Sequence, residues 1–186
     1  MDLIEAIRTR RSIRAYRPDP VPRETIEQLL AAATLAPSAM NLQPWAFGVV
    51  TDCAKIRDLS ERAKALLLGQ MTERPFLKRF EEYFRNPDYS IFYHAPALIV
   101  IYSRSVSAFA PIDCALAAEN LMLAARGFGL GSCWIGFGHD LLELPETKRE
   151  LGVPPECSVA APIIVGRPAE EREAPERKAT EILYWI

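Results

Sequence analysis

Residues 95–102 read APALIVIY, an apolar run rich in β-branched side chains that no charged or amide residue interrupts. A strand with one wet face alternates polar and apolar positions, so a run without alternation reads as a strand buried in a sheet. Ten residues further on, the segment from about Ile112 to Arg126 is apolar or small on nearly every helical face before Gly127 ends it. Such a helix belongs at the centre of a fold or in a subunit interface. At 186 residues, the chain fits one domain and is long enough to bury roughly 70% of the surface its unfolded form exposes. The formal net charge is −2, which provides no overall drive towards nucleic acid or an anionic membrane. Any phosphate binding must therefore be local.

Around this core the pattern alternates helices and strands. Asp2 and Glu5 have capping-box spacing, and Leu3, Ile4 and Ile7 share a face, which predicts a helix over 3–10. A second helix runs from about Pro22 to Leu35 on a stripe of Ile26, Leu29, Leu30 and Ala33, and Pro37 stops it. The polar loop PSAMNLQP at 37–44 leads into a strand, WAFGVVT, and a third helix that Asp52 caps, with Ile56, Leu59, Ala63 and Leu66 on its apolar face. Residues 69–95 are less regular and rich in aromatics, either helical core or a cover over a flat ligand. A strand is expected near Cys133 to Phe137, then a short helix ending at Leu151 with Gly152 as its stop, then a last core strand from Ala160 to Val165. Pro162 inside that strand demands an edge position or a bulge. Four or five strands mixed with helices make an α+β domain.

Several chemistries are disfavoured. His94 and His139 are the only histidines, and with no HExxH or thiolate cluster they leave too few ligands for a catalytic zinc. His139-Asp140 reads as a loop pair, since no G-x-S-x-G accompanies it. The glycines at 127, 129 and 131 follow a helix and lack the third glycine of a dinucleotide fingerprint, and no P-loop occurs. Cys53, Cys114, Cys133 and Cys157 form no C-x-x-C pair and read as small buried apolar residues. The acidic, short-cored N-terminus is no signal peptide, and no apolar run approaches a membrane span, so a cytoplasmic protein is expected.

The segment RTRRSIRAYRPDP at 8–20 places five arginines within ten positions. Cations at a helix C-terminus complement its dipole, by about 0.3–1 kcal/mol each, and exposed arginines are usually just solvated. Where the helix gives way to extended chain, however, Arg10, Ser12 and Arg14 alternate to one side. Two guanidinium forks and a hydroxyl can then converge on one phosphate-bearing ligand.

Four stretches, RRSIRAY at 10–16, LAPSAMNLQPWAF at 35–47, AAENLMLAARGFGLGSCWIG at 117–136 and VGRP at 165–168, together resemble the nitroreductase family of FMN-dependent oxidoreductases, in its shorter subgroup. The similarity covers almost the whole chain in order, and only about 69–95 departs from it. The resemblance implies an α+β nitroreductase-like fold, a central mostly antiparallel sheet flanked by helices. It implies one domain over 1–186 in an intertwined homodimer with FMN at the interface, and a C-terminal arm, about 167–186, packing on the partner subunit. By the same resemblance Arg10, Arg11, Ser12 and Arg14 hold the cofactor, with Arg14 nearest the ring and Arg177 as a second phosphate-binding cation. Pro37, Ser38, Ala39 and Asn41 reach the flavin from the partner, and Cys133, Trp134, Ile135, Gly136 and Phe137 lie along it.

The implied activity is ping-pong: NADH or NADPH passes hydride to flavin N5, and a nitroaromatic, quinone or similar small aromatic acceptor then takes its place. No side chain is required as acid or nucleophile; Arg14 and the Gly136 backbone tune the flavin. Phe76, Phe80 and Phe84 are the candidate cover over the acceptor, with plain helix packing as the alternative. Other reactions remain open within the same fold, namely desaturation, reductive dehalogenation or breakdown of the flavin itself, as does a non-catalytic FMN-binding module.

Overall fold

A computed structural model of the chain describes residues 1–170 and 172–186. Four strands, Trp45–Val50 (β1), Ala97–Ser103 (β2), Gly131–Trp134 (β3) and Ser158–Gly166 (β4), form one sheet in the order β1-β2-β4-β3. Every ladder in it is antiparallel. The helices are Leu3–Thr9 (α1), Arg23–Thr34 (α2), Cys53–Gly69 (α3), Glu81–Arg85 (α4), Ala110–Gly127 (α5), His139–Glu143 (α6) and Pro145–Glu150 (α7). None is long and apolar enough to cross a membrane.

The uninterrupted apolar run explains the layering. All residues of β2 are buried, and their alternation divides the core in two. Leu98, Val100 and Tyr102 pack with α3, including Ile56, Leu59 and Ala63, while Ala97, Ile99 and Ile101 pack with α2 and α5, including Leu29, Ala33 and Leu121. Helices therefore cover both faces of the sheet, as a strand with no wet side requires.

Local signals set most boundaries. The Asp2 carboxylate accepts from Glu5 N at 2.8 Å, and that of Asp52 accepts from Ala54 N at 2.8 Å, so both predicted N-caps are made. Gly152, at φ +70°, follows α7. Four predicted details change. Of the apolar face predicted for α1, Leu3, Ile4 and Ile7 are exposed and only Ala6 is buried. Cys53 is exposed at the start of α3, whereas the other three cysteines are buried. His139 and Asp140 open a short helix instead of lying in a loop. The strand expected at 133–137 begins earlier, at Gly131, and ends at Trp134, because a 3-10 turn over Gly136–Gly138 bends the chain away.

Pro162 lies in β4, which is an interior strand. Its carbonyl accepts from Ile135 N at 2.8 Å, so its donor-less nitrogen faces the side where β3 has just ended. The β2–β4 register also shifts between Ile101 and Tyr102, beside Ala160. The proline thus occupies a local edge next to a bulge, which is where a residue without an N–H is tolerated.

Candidate active site

The arginine run is laid against the open edge of the sheet. After α1, Arg10 N closes the helix on Ala6 O at 2.8 Å, and the chain becomes extended. Ser12 bridges Ser132 of β3, Ile13 N donates to Ser132 O at 3.0 Å, and Arg17 N donates to Arg167 O at 2.9 Å. Ile13 is buried, and the Tyr16 hydroxyl donates to Ile13 O at 2.7 Å. This contact is close enough to dictate sequence. A Cβ on Gly131 would stand 2.7 Å from Ile13, and one on Gly166 would stand 2.8 Å from Tyr16, so only glycine lets the strip lie this near the sheet.

Anchored in this way, Arg10, Arg11, Ser12 and Arg14 line a single cavity of about 490 Å³ together with Arg172, Glu173, Pro175 and Arg177. Among the described residues, five arginines and one glutamate line it, a strongly cationic pocket in a chain of net charge −2. Arg10 Nε pairs with Glu119 at 3.1 Å, which steadies it without consuming the fork. One Arg11 nitrogen donates to Arg8 O at 2.7 Å and to Arg10 O at 2.6 Å, while its buried Nε has no partner among the described residues. An orphaned donor beside a cationic cavity suits an anionic ligand, because a bound phosphate oxygen satisfies what the fold leaves unmet.

Arg14 also lines a second, smaller cavity of about 200 Å³ with Tyr89, Ile91, Tyr93, Trp134, Ile135, Gly136 and Phe137. Its guanidinium carbon stands 5.9 Å from the centre of the Tyr93 ring, within cation–π range. Gly136 and Phe137 open the 3-10 turn, so their N–H groups have no acceptor within it, and none elsewhere among the described residues. A Cβ on Gly136 would meet nothing within 4 Å. Arg14 is thus shared by an anion cradle and an aromatic-walled slot that offers unclaimed backbone donors. Tyr93 and His94 occupy the left-handed region at φ 50° and 53°, backbone strain of the kind found at working sites.

Two phenols and one thiol near Arg14 hold their protons more tightly than usual. Burial pushes the Tyr16 and Tyr89 phenols well above their ordinary range, against the opposing pull of Arg14. Burial likewise raises the Cys133 thiol, although Arg14 and Ser12 favour its thiolate. The thiol is 1% exposed and lines neither cavity.

Other predicted residues lie elsewhere. Pro37, Ser38, Ala39 and Asn41 line neither cavity of the same chain. Their loop is strained, with Met40, Asn41 and Gln43 at positive φ, and it is held by the buried Asp113, which accepts from Ala39 N at 3.1 Å. Nor do Phe76, Phe80 and Phe84 line the slot. Phe84 is 2% exposed and meets Phe137 edge-on at 5.1 Å, and Phe80 meets Phe137 at 4.9 Å. Phe84 is thus core, and both it and the partly buried Phe80 pack against Phe137 of the slot wall. Phe76 is half-exposed, with Arg74 stacked on it at 5.2 Å. Sequence reasoning missed Arg172, which carried no signal beyond its membership of a charged tail, and Tyr89 and Tyr93, which were visible only as members of an aromatic stretch.

The family model of the nitroreductase family matches residues 7–167. A protein of Archaeoglobus fulgidus, whose name couples NADH dehydrogenase with NAD(P)H nitroreductase, is 33% identical over 177 residues, covering 92% of this chain and 88% of its own. The 5,6-dimethylbenzimidazole synthase of Rhodospirillum rubrum is 31% identical over 90% of this chain and 82% of its own. Among solved structures, a nitroreductase of Bacteroides fragilis with bound FMN superposes with a TM-score of 0.84 at 31% identity, covering 100% of this chain and 98% of that one.

Proposed function

The chain belongs to the nitroreductase family, and from that premise we propose that it is an FMN-dependent oxidoreductase drawing electrons from NADH or NADPH and delivering them to a nitroaromatic, quinone or similar electron-poor acceptor. The observation that carries this reading is the pair of cavities, one lined by Arg10, Arg11, Ser12, Arg172 and Arg177, the other by aromatic rings and Gly136, with Arg14 common to both. Their chemistry matches the two ends of a flavin mononucleotide. When bound, FMN supplies the two-electron redox chemistry.

The chain's own residues bind, orient and exclude. Arg10, Arg11, Ser12 and Arg177 hold the phosphate, and Arg172 adds charge at the same wall. Arg14, braced by Tyr93, places a fixed positive charge beside the ring and favours the form that carries more negative charge. The unclaimed N–H groups of Gly136 and Phe137 meet the polar edge of the ring, and the missing side chain of Gly136 keeps its approach open. Tyr16, Tyr89 and Cys133 stay protonated and contribute no competing charge or thiolate. The 37–41 loop reaches the flavin of a second copy, and the arm from about 167 to 186 packs on that copy. The exposed apolar side chains at the arm's end, Ile182 to Ile186, support this arrangement.

The purified protein tests the reading directly. Its expected state is yellow or able to turn yellow with added FMN, and anaerobic NADH or NADPH should bleach that colour; persistence of the colour would leave only a binding module. A turnover screen with a nitroaromatic, a quinone and a halogenated phenol then assigns the acceptor. Failure of all three, with bleaching intact, would favour a different flavin reaction, such as that named for the Rhodospirillum rubrum relative.

A further inference from the structure

A second arginine-lined cavity, of about 440 Å³, lies beside the cradle and shares Arg10, Arg11 and Arg172 with it. Its own additions are Arg17 and Arg126, together with the hydroxyl residues Thr9 and Ser132, and among the described residues Glu170 is its only acidic wall residue. From this we infer that the cavity is a separate binding site for a phosphoryl anion. Either a free anion fills it, or the second phosphoryl group of a dinucleotide whose first phosphate occupies the cradle.

Four of the guanidinium groups, those of Arg10, Arg11, Arg126 and Arg172, are held by contacts of their own. Arg126 Nε donates to Thr9 Oγ1 at 3.0 Å, which ties the end of α5 to the end of α1 and holds the fork at the cavity wall. Arg11 is held by the carbonyls of Arg8 and Arg10, and its Nε is left as an unpartnered buried donor. Arg172 is partly neutralised by Glu170 at 3.0 Å, and Arg10 by Glu119 at 3.1 Å. Arg11, Arg17 and Arg126 make no ion pair among the described residues. Helix-dipole compensation does not explain the set. It accounts for cations in the last turns of α1 and α5, but Arg17 belongs to neither helix, and its backbone N–H donates to Arg167 O at 2.9 Å. Like charges brought this close repel one another, at a cost to folding that a bound polyanion removes.

The site is separable from the flavin reading because Arg17 and Arg126 line this cavity and not the cradle. Calorimetric titration of pyrophosphate into the FMN-saturated protein tests it, using the parent chain, Arg17→Gln, Arg126→Gln and a remote control, Arg57→Gln. The expected result is saturable binding without release of FMN, weakened about tenfold by loss of either guanidinium–phosphate contact and unchanged in the control. Absence of saturable heat, displacement of FMN by pyrophosphate, or equal affinity in both variants would overturn the inference. Should Arg126→Gln disturb the α1–α5 contact, Arg17→Gln alone decides. The ratio of FAD to FMN affinity then identifies the source: a ratio lowered by Arg17→Gln marks the second phosphoryl of a dinucleotide, and an unmoved ratio with pyrophosphate binding intact marks a free anion. A chain that took up no FMN would still be read by the pyrophosphate arm, so the two readings fail separately.

Discussion

Arg14 touches both halves of the proposed flavin site, which makes it the residue whose removal is most informative. Arg14→Ala deletes a charge-assisted contact worth about 1.5–3 kcal/mol, so FMN affinity should fall at least about tenfold in a fluorescence titration. Arg14→Lys keeps the charge but loses the planar fork that sits over Tyr93, and should restore only part of the loss. A second single-residue effect concerns pH. Burial, followed by the neighbouring Asp113 charge, pushes the Cys114 thiol from its ordinary 9.0 up to about 11. The folded state therefore holds this proton more tightly than the unfolded chain. The corresponding stability is complete below pH 9.0 and is lost as pH rises towards about 11. Melting temperatures measured across that window should decline, and the decline should be shallower in Cys114→Ala once its lower baseline is subtracted. At this scale residue types were legible and their company was not. Phe84 carries the same side chain as Phe76, yet one is core and the other is half-exposed, because helical spacing does not reveal which turn the sheet covers.

At the scale of elements, the strip from Arg10 to Arg17 acts as an extra edge to the sheet, and its register on β3 sets where the arginines point. Gly131→Ala would drive a methyl into Ile13. The expected cost is about 1–3 kcal/mol of stability, together with a loss of FMN occupancy out of proportion to the fall in melting temperature, since the cradle itself is displaced. Flavin content of the folded fraction at a temperature well below the melting transition separates the two effects. The sequence already showed α1, its cap and the extended strip. The parallel bridge between Ser12 and Ser132 was hidden, because the partners are remote in sequence and a single bridge leaves no periodic trace.

At the scale of the whole molecule, apolar surface is left uncovered on α1, on α5 and on the C-terminal arm. Ile112 and Leu116, one turn apart on α5, are 57% and 42% exposed, and Ile7 of α1 is 52% exposed. Under the two-chain proposal, this exposed apolar surface is where the second copy would pack. Under the proposed two-chain flavin site, Ile112→Asp should yield a single-chain species in analytical ultracentrifugation and lower FMN affinity in parallel. Dissociation with flavin binding intact would show that each chain completes its own site. Of the two alternatives for α5, the central one is seen in part: Ala117, Ala118 and Leu121 are buried against the sheet, while Ile112 and Leu116 are exposed.

Read as letters, the chain already specified its helix caps, its buried central strand, its α+β class and a local concentration of cationic forks. Each of these depends on residues a few positions apart, within reach of one helical turn or one strand repeat. Folding settled which distant groups meet: Arg172 joins Arg10 across the sheet edge, Tyr93 braces Arg14, Pro162 finds a local edge inside an interior strand, and Arg17 and Arg126 share a second cavity. These meetings follow from strand order and from close approaches at Gly131 and Gly166. Long-range packing creates such contacts, and no short-range spacing encodes them.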